Sequence, residues 1–415
     1  MTPPRSIAAL RVHARDLGLA ALVGALAGTG GAGFLAALDH VTRMRFDHPW
    51  LLALLPLAGV LMVWVYRRFG GRSDRGNNLI IDEIHQPGAG VPLRMAPLVV
   101  GATLLTHLCG GSAGREGTAV QMGGAFAGGV KRLLRLDAAH QAMLLSAGVA
   151  AGFGAVFGTP LAGAVFALEV LTRGRVAYTW LGPCLVAALV GDQVCLAWGA
   201  RHIDYQALAP IAHTGPGLDP AFIAQAAVLG LLCGLVARVF ATAAHGMGRL
   251  PFPSRQGWWL RPVFGGTAVG LLTLVLGTDA YLGLGAWSPD PADPTLQTVF
   301  AVGGAGPWDW AWKLVFTVLT IGTGFKGGEV TPLFLIGAAF GHVAGPLVGL
   351  PLALGAAVGL VAVFAGATKT PLACTLLAVE LFGGGELALF AVACFASYLA
   401  SGTGGIYSAQ RQPAA

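Results

Sequence analysis

The sequence predicts an all-α integral membrane protein built from two related halves. Of its 415 residues, 55% are hydrophobic and only 11% are charged, whereas soluble domains carry roughly 25% charged residues. The mean hydropathy of +0.71 points the same way. A soluble chain of this length would need more charge to cover its surface. The 63 glycines instead suit helices that approach one another closely in lipid.

The basic residues lie in short clusters between apolar runs, although Lys and Arg (25) outnumber Asp and Glu (19) overall. Cytoplasmic loops of membrane proteins carry such clusters, so the pattern argues against nucleic-acid binding and for a multi-pass membrane protein. We expect it in the inner (plasma) membrane of a bacterium. The clusters are Arg67, Arg68, Arg72 and Arg75; Lys131, Arg132 and Arg135; and Arg173 and Arg175.

Apolar segments recur along the whole chain, and several are shorter than the ~20 residues that a perpendicular helix needs to cross a bilayer. Glycine and proline interrupt many of them. Such broken segments are tolerated where protein or water covers the freed backbone groups, which is typical of a transporter or channel. The segments are 17–38, 50–66, 95–110, 117–130, 140–157, 160–171 and 177–199, then 221–245, 261–277, 311–322, 331–348, 352–367, 371–382 and 386–401.

Two internal repeats divide the chain. Residues 159–169 (TPLAGAVFALE) match residues 370–380 (TPLACTLLAVE) at six of eleven positions, with a shift of 211. Residues 111–117 (GSAGREG) match 324–330 (GFKGGEV) with a shift of 213. We therefore expect an N-terminal stretch 1–14, a first repeat 15–200, a linker 201–220, a second repeat 221–405 and a C-terminal tail 406–415.

The segment GGSAGREGTAVQMGG (110–124) has glycines directly before an apolar helix. The N–H groups and the dipole at such a helix start favour an anion. Glu116 lies in this loop, where an intramembrane carboxylate is costly and usually functional. When ionised it could occupy an anion site, and when protonated it could leave. The alternative is a carboxylate that caps the helix.

The repeat partner, GTGFKGGEVTPLFLIG (322–337), has the same design. Glu329 and Thr331 flank an anion-sized space, and Pro332 suits the first turn of a helix. Thr331 could instead be an ordinary N-cap. Lys326 could be a counter-charge or an interfacial lysine.

Two further loops carry hydrogen-bond donors. Asn77 and Asn78 follow Gly76 before an apolar run, so either amide could donate to an anion or cap the helix; taken alone, the cap is favoured. Tyr407 follows a Gly-rich break, and its phenol could contact an anion or belong to an interfacial aromatic belt.

Glu169 and Glu380 occupy equivalent repeat positions, each nine residues after a proline. Either could relay protons. The favoured interpretation is that both mark the interfacial end of a short helix.

No motif for bond-breaking chemistry is present. The sequence contains no HExxH, no GxSxG and no phosphate-binding loop, and its six cysteines form no metal pattern. We therefore expect a transporter with no cofactor and no metal site rather than an enzyme. A distant alternative, an intramembrane hydrolase, lacks the Ser/His or Asp pair that it would need.

In this order and spacing, the four loops resemble the CLC family of chloride channels and anion/proton exchangers, over roughly 17–408. GREG with Glu116 matches the gating-glutamate motif of the family, and Tyr407 matches its anion-contacting tyrosine. The resemblance implies a CLC-like bundle of tilted, partly broken helices in two inverted-topology repeats. It also implies cytoplasmic termini and a homodimer with one pathway per subunit.

Departures from the chloride-type pattern resemble the fluoride-exporting branch, CLC-F. GNNLI (76–80), GREGT (114–118) and GEVTP (328–332) stand in place of GSGIP, GREGP and GIFAP. This implies fluoride export in exchange for protons, coupled by Glu116 and Glu329. The anion would be held by Asn77, Gly114, Arg115, Gly117, Val330, Thr331 and Tyr407, with Asn78, Lys326 and Glu169 as secondary candidates.

One departure concerns protons. Many chloride/proton exchangers of the family have an internal glutamate one residue after the equivalent of Glu169, and here that residue is Val170. We hypothesise that Glu116 carries the proton and that Glu329 holds it on the inner path or restrains Glu116. The alternative function is a chloride-type channel or chloride/proton exchanger of the same fold.

Overall fold

The protein is almost entirely helical in the computed structural model, which describes residues 5–209, 211, 219–251 and 257–412, with side chains from residue 13 onward. Within these ranges the chain forms sixteen α-helices and no β-strand beyond isolated bridges. The predicted all-α fold is thereby confirmed.

Eight helices form the first half and seven the second, with one short helix between them in the described chain. The first half contains α1 (Arg5–Asp47), α2 (Leu55–Val65), α3 (Asn77–His85), α4 (Met95–Leu108), α5 (Glu116–Leu133), α6 (Ala139–Phe157), α7 (Pro160–Glu169) and α8 (Leu181–Ala197), and α9 (Tyr205–Leu208) follows. The second contains α10 (Pro220–Arg249), α11 (Leu260–Leu276), α12 (Asp309–Gly322), α13 (Val330–Leu347), α14 (Leu352–Thr368), α15 (Pro371–Phe382) and α16 (Leu387–Ala400).

Some predicted boundaries differ from these helices. The first helix begins at Arg5, inside the stretch 1–14 that we expected to precede the first repeat; residues 1–4 lie outside the described part. The linker 201–220 contains α9, while residues 210 and 212–218 of it are not described. Of the tail 406–415, residues 413–415 also lie outside the described part.

Within the described part of the chain, six helical stretches are long and apolar enough to cross a membrane. The other apolar helices have 10–17 residues, as the interrupted hydrophobic segments predict. The six stretches are His13–Asp47, Pro49–Arg75, Ala139–Phe157, Tyr178–Ala197, Pro220–Arg249 and Val330–Leu347.

Close helix contacts through glycine recur in both halves. A Cβ at Gly123 of α5 would lie 2.0 Å from the carbonyl oxygen of Gly148 in α6. In the second half, a Cβ at Gly337 of α13 would lie 2.3 Å from the carbonyl oxygen of Gly359 in α14. Only residues without a Cβ allow this approach. These contacts fix the helices whose N-terminal ends form the site described below.

Carboxylates at the ends of two short helices bind the halves together. Glu169 at the end of α7 accepts hydrogen bonds from the N–H groups of Leu372 (3.0 Å) and Ala373 (2.7 Å) at the start of α15. Glu380 in α15 accepts from Leu161 (2.9 Å) and Ala162 (2.7 Å) at the start of α7. We call these contacts the reciprocal caps. Glu169 is the last residue of α7, and each of the two glutamates satisfies free N–H groups of its repeat partner. That these helix ends lie at the membrane interface stays a prediction.

Candidate functional site

Two glycine loops cross where α5 and α13 begin. The N–H of Gly114 donates to the carbonyl of Gly328 (2.6 Å), and the N–H of Gly328 donates back to Gly114 (2.7 Å). A Cβ at Gly114 would lie 2.9 Å from the Gly328 oxygen, and one at Gly117 would lie 3.0 Å from the Gly328 Cα. The glycines are therefore required for the crossing, which brings the positive ends of two helices together.

The Glu116 carboxylate is fully buried at this crossing. Its Oε2 accepts hydrogen bonds from the Thr331 hydroxyl (2.5 Å), the Thr331 N–H (3.1 Å) and the Arg115 N–H (3.2 Å). Its Oε1 lies 3.3 Å from the Arg115 guanidinium Nε. Glu116 is the first residue of α5, but its charge lies at the start of α13. It therefore occupies a position suited to a small anion.

Thr331 serves this carboxylate and is not an N-cap. α13 begins at Val330, which is buried, and its N-cap residue is Glu329, whose side chain makes no capping bond. Thr331 lies inside the first turn, where both its hydroxyl and its N–H face Glu116. The N-cap alternative for Thr331 is wrong.

The two asparagines at the start of α3 point to different partners. A Cβ at Gly117 would lie 3.3 Å from the Asn77 amide Nδ2, while Asn77 Oδ1 is buried with no hydrogen-bond partner among the described residues. Asn78 Oδ1 accepts from the Ala409 N–H (2.9 Å). Neither asparagine caps α3, because the N-cap position belongs to Gly76 (φ 54°), so the favoured prediction of a cap was wrong.

Tyr407 is buried, with 6% of its surface exposed. Together with Asn77, Phe166 and Val170 it lines a cavity of ≈ 20 Å³, about the space that one water molecule needs. The segment that follows Tyr407 is packed as well: the Arg411 N–H donates to the Leu171 carbonyl (3.1 Å). The interfacial-belt alternative for Tyr407 is wrong, and the described part of the predicted tail lies against the bundle.

Two larger cavities approach the crossing. Arg115 borders one of ≈ 620 Å³, whose lining includes Arg43 and His202; we call it the Arg115 vestibule. Glu329 borders another of ≈ 570 Å³, whose lining includes Arg261 and Lys326; we call it the Glu329 vestibule. Glu116 lies next to Arg115, which borders the first cavity, and next to the start of α13, where Glu329 borders the second. The buried Glu116 carboxylate therefore lies between residues of the two vestibules.

Lys326 and Glu169 lie outside the group of residues that contact Glu116. The Lys326 ammonium pairs with Asp74 (2.7 Å) and lies 4.5 Å from the centre of the Tyr66 ring. It is a counter-charge to the Asp74 carboxylate. Glu169 is engaged in the reciprocal caps.

Hydroxyl pairs that sequence reasoning missed support the two loops. Thr103 and Thr118 hydroxyls lie 2.7 Å apart, and those of Ser112 and Thr317 lie 2.9 Å apart. The Thr106 hydroxyl donates to the Lys326 carbonyl (2.7 Å). The available signal was the threonines in the apolar segments before each glycine loop, since such side chains bond across helices in membranes.

No group of three His, Cys, Asp or Glu side chains within the described ranges could hold a metal ion. The six cysteines are free and buried. A helical membrane bundle with two crossing loops and a buried, anion-like carboxylate between two vestibules has the features of an ion-transporting protein rather than of an enzyme.

Comparison with known proteins agrees with this class. The family model for voltage-gated chloride channels matches residues 58–402, so the chain belongs to this family, known as CLC. A protein of Pseudomonas syringae pv. tomato described as a chloride/fluoride channel protein is 48% identical, over 98% of this chain and 89% of its own. The predicted family is confirmed.

Solved structures show the same fold. A CLC-type fluoride/proton antiporter superposes with a TM-score of 0.89 at 34% identity, covering 96% of this chain and 98% of its own. A slow cyanobacterial Cl⁻/H⁺ antiporter superposes with a TM-score of 0.73 at 20% identity, covering 95% and 96%. The second likeness concerns the fold alone.

Proposed function

We propose that this protein is a secondary transporter that exports fluoride in exchange for protons. The observation that carries the proposal is the buried Glu116 carboxylate, bound by the hydroxyl and N–H of Thr331 at the start of α13. Similarity to a chloride/fluoride channel protein and to a fluoride/proton antiporter supports it. Export has a clear use, because fluoride enters acid-exposed cells as neutral HF and dissociates inside.

The donors around the crossing suit fluoride. This ion is small and holds its water strongly, so a protein site must offer strong donors in exchange. Thr331, Asn77 and Tyr407 add donors to the backbone N–H groups of the loops. The cavity between Asn77 and Tyr407 has space for one water-sized particle, and chloride is larger and gains less from such donors.

Exchange follows from the two protonation states of Glu116. Ionised, the carboxylate takes the hydrogen bonds at the start of α13 and excludes an anion. A proton that arrives through the Arg115 vestibule removes this charge and weakens those bonds, since bonds to a charged acceptor are the stronger ones. Fluoride can then take the donors of Thr331, and the proton continues inward as the anion leaves.

Glu329 is our candidate for the inner half of the proton route. Its side chain borders the Glu329 vestibule, and the carboxylate Oε2 lies 3.6 Å from where a Cβ on Gly117 would be. Val170, at the position where many relatives have an internal glutamate, lines the small apolar-walled cavity and offers no proton acceptor. Gly114, Gly117 and Val330 contribute backbone to the anion site in this scheme.

The orientation follows from charge. The Glu329 vestibule is bordered by Arg67, a member of the first basic cluster, and such clusters are expected on the cytoplasmic side. The Arg115 vestibule would then face outward, and the protein would lie in the inner membrane of a bacterium. By resemblance to the family, we propose a homodimer with one pathway in each subunit.

Flux measurements on proteoliposomes test the proposal, with fluoride and chloride electrodes and a pH probe read together. Rapid fluoride efflux with opposing proton movement and little chloride efflux is expected. Comparable chloride efflux would mean that Asn77, Glu329 and Thr331 do not set selectivity, and a chloride-type channel or exchanger would replace the exporter.

A further inference from the structure

A cavity of ≈ 270 Å³ lies away from the transport site, where α5 ends and α6 begins. Lys131, Arg132 and Arg135 line one side of it. The remaining wall is largely apolar and includes Val91, Ala127, Leu136, Leu144 and Leu145. We call this space the basic cavity. Its lining suits a molecule with an anionic group and an apolar part.

The positive charge of the basic cavity is not neutralised by the described part of the protein. Its three basic residues form no salt bridge there. Lys131 donates a hydrogen bond to the neutral Gln141 amide in the first turn of α6, where the helix dipole adds further positive potential. Of the acidic neighbours, Glu83 pairs with Arg72, and it also accepts hydrogen bonds at the cavity wall from the Gln141 amide (2.6 Å) and the Gly90 N–H (3.0 Å). Asp137 pairs with His140 (2.5 Å).

Arg135 adopts a backbone conformation that is unfavourable for its residue type. Its φ is +52°, at the position after a helix end where glycine is preferred. The hydrogen bonds Leu136 N–H to Lys131 (3.0 Å) and Arg135 N–H to Arg132 (3.2 Å) complete a Schellman motif. Glycine would form the same turn without strain, so the turn does not explain an arginine.

Lys369 provides a comparison, because it is the other described non-glycine residue with positive φ (+62°). It also follows a helix end, and its ammonium donates to Ser401 (2.6 Å) and Gly402 (2.7 Å). The unfavourable backbone conformation of Lys369 thus places its ammonium in a buried contact within the protein. The Arg135 guanidinium is exposed and has no hydrogen bond or salt bridge to the described residues, so it is available to a partner outside the chain.

Position and apolar surroundings indicate the partner. Leu133 and Leu134 beside the basic cavity are 81% and 47% exposed, and Leu93 is 47% exposed. The cavity lies on the loop face that carries basic clusters, where anionic lipids are attracted. We propose that the basic cavity binds the phosphate headgroup of an anionic phospholipid, with Arg135, Arg132 and Lys131 on the phosphate and the upper acyl carbons over Leu133 and Leu134.

Native mass spectrometry of the purified full-length protein tests this proposal without depending on transport. Phosphatidylglycerol should remain bound in detergent, and phosphatidylcholine should be lost. Arg135→Gly should retain phosphatidylglycerol about fivefold less, as expected for one basic residue near a lipid surface. Because glycine suits the backbone at position 135, this variant should fold at least as well as the parent protein.

Arg175→Gly is the matched control, since Arg175 is an exposed arginine in a different basic cluster. It should leave lipid retention unchanged. Equal retention by Arg135→Gly and the parent, or equal retention of the two lipids, would overturn the proposal. Displacement of phosphatidylglycerol by millimolar inorganic phosphate would also overturn it, because the site would then serve a soluble anion.

Discussion

Glu116 and Glu329 occupy the same position in the two repeats, yet their surroundings differ. Glu116 is fully buried and accepts hydrogen bonds from Thr331 and Arg115, whereas Glu329 borders a vestibule. The residue before each differs as well: Arg115 offers a guanidinium, and Gly328 offers only backbone. Duplication thus places two carboxylates at one crossing, and the neighbouring residues give them different access to water and to donors.

Glu116→Gln should have the largest effect on transport. The amide keeps the shape of the carboxyl group but cannot carry a proton between two charge states. Proton-coupled fluoride efflux should therefore fall by roughly 100-fold or more. Simultaneous fluoride and pH recording in proteoliposomes measures it. Fast uncoupled fluoride flow would instead indicate a channel opened by removal of its gate.

Glu329→Gln should have an intermediate effect, because it removes only the inner proton acceptor. Fluoride should still move, while proton movement per fluoride should fall on the order of tenfold. The ratio of the two initial rates is the measurement. Unchanged proton-driven transport in this variant would refute the proposed role of Glu329 and leave Glu116 as the single coupling carboxylate.

Thr331→Val should have the smallest effect on coupling: proton movement per fluoride should stay unchanged, while fluoride turnover should fall about tenfold. It removes one hydroxyl, and a hydrogen bond to a charged group contributes about 1.5–3 kcal/mol. Thr118→Val is the matched control, since Thr118 is the repeat equivalent but its hydroxyl contacts Thr103. Equal losses in both variants would show that Thr331 acts through packing alone.

Much of the fold was predictable because its signals are local. Apolar runs, glycine loops before helices and the two repeats can be recognised in consecutive residues, and they identified the two loops that carry Glu116 and Glu329. The partners of Asn78 and Glu169 could not be predicted in this way. Asn78 contacts Ala409, and Glu169 contacts the start of α15, both more than 200 residues away and without a complementary local pattern.

The roles of Arg115, Thr331 and Asn77 could be predicted only in part from the sequence. Residue type predicted an anion site, but whether Asn77 or Asn78 faces Gly117 at the crossing depends on the turn that Gly76 makes with φ +54°. The cap favoured for Asn77 or Asn78 and the alternative cap at Thr331 were wrong for a shared reason. In both places the position before the helix is taken by another residue, and the side chains are left to face other segments.

Because of the reciprocal caps, each half of the chain has unpaired N–H groups at a helix start unless the other half is present. α7 lacks partners for its first N–H groups until Glu380 arrives, and α15 lacks them until Glu169 does. If the gene were cut within the linker 201–220, the two fragments should mature only when they are made in the same cell. Each fragment alone would be a substrate for membrane proteases, and co-expression would serve as an assay for helix completion between separate chains.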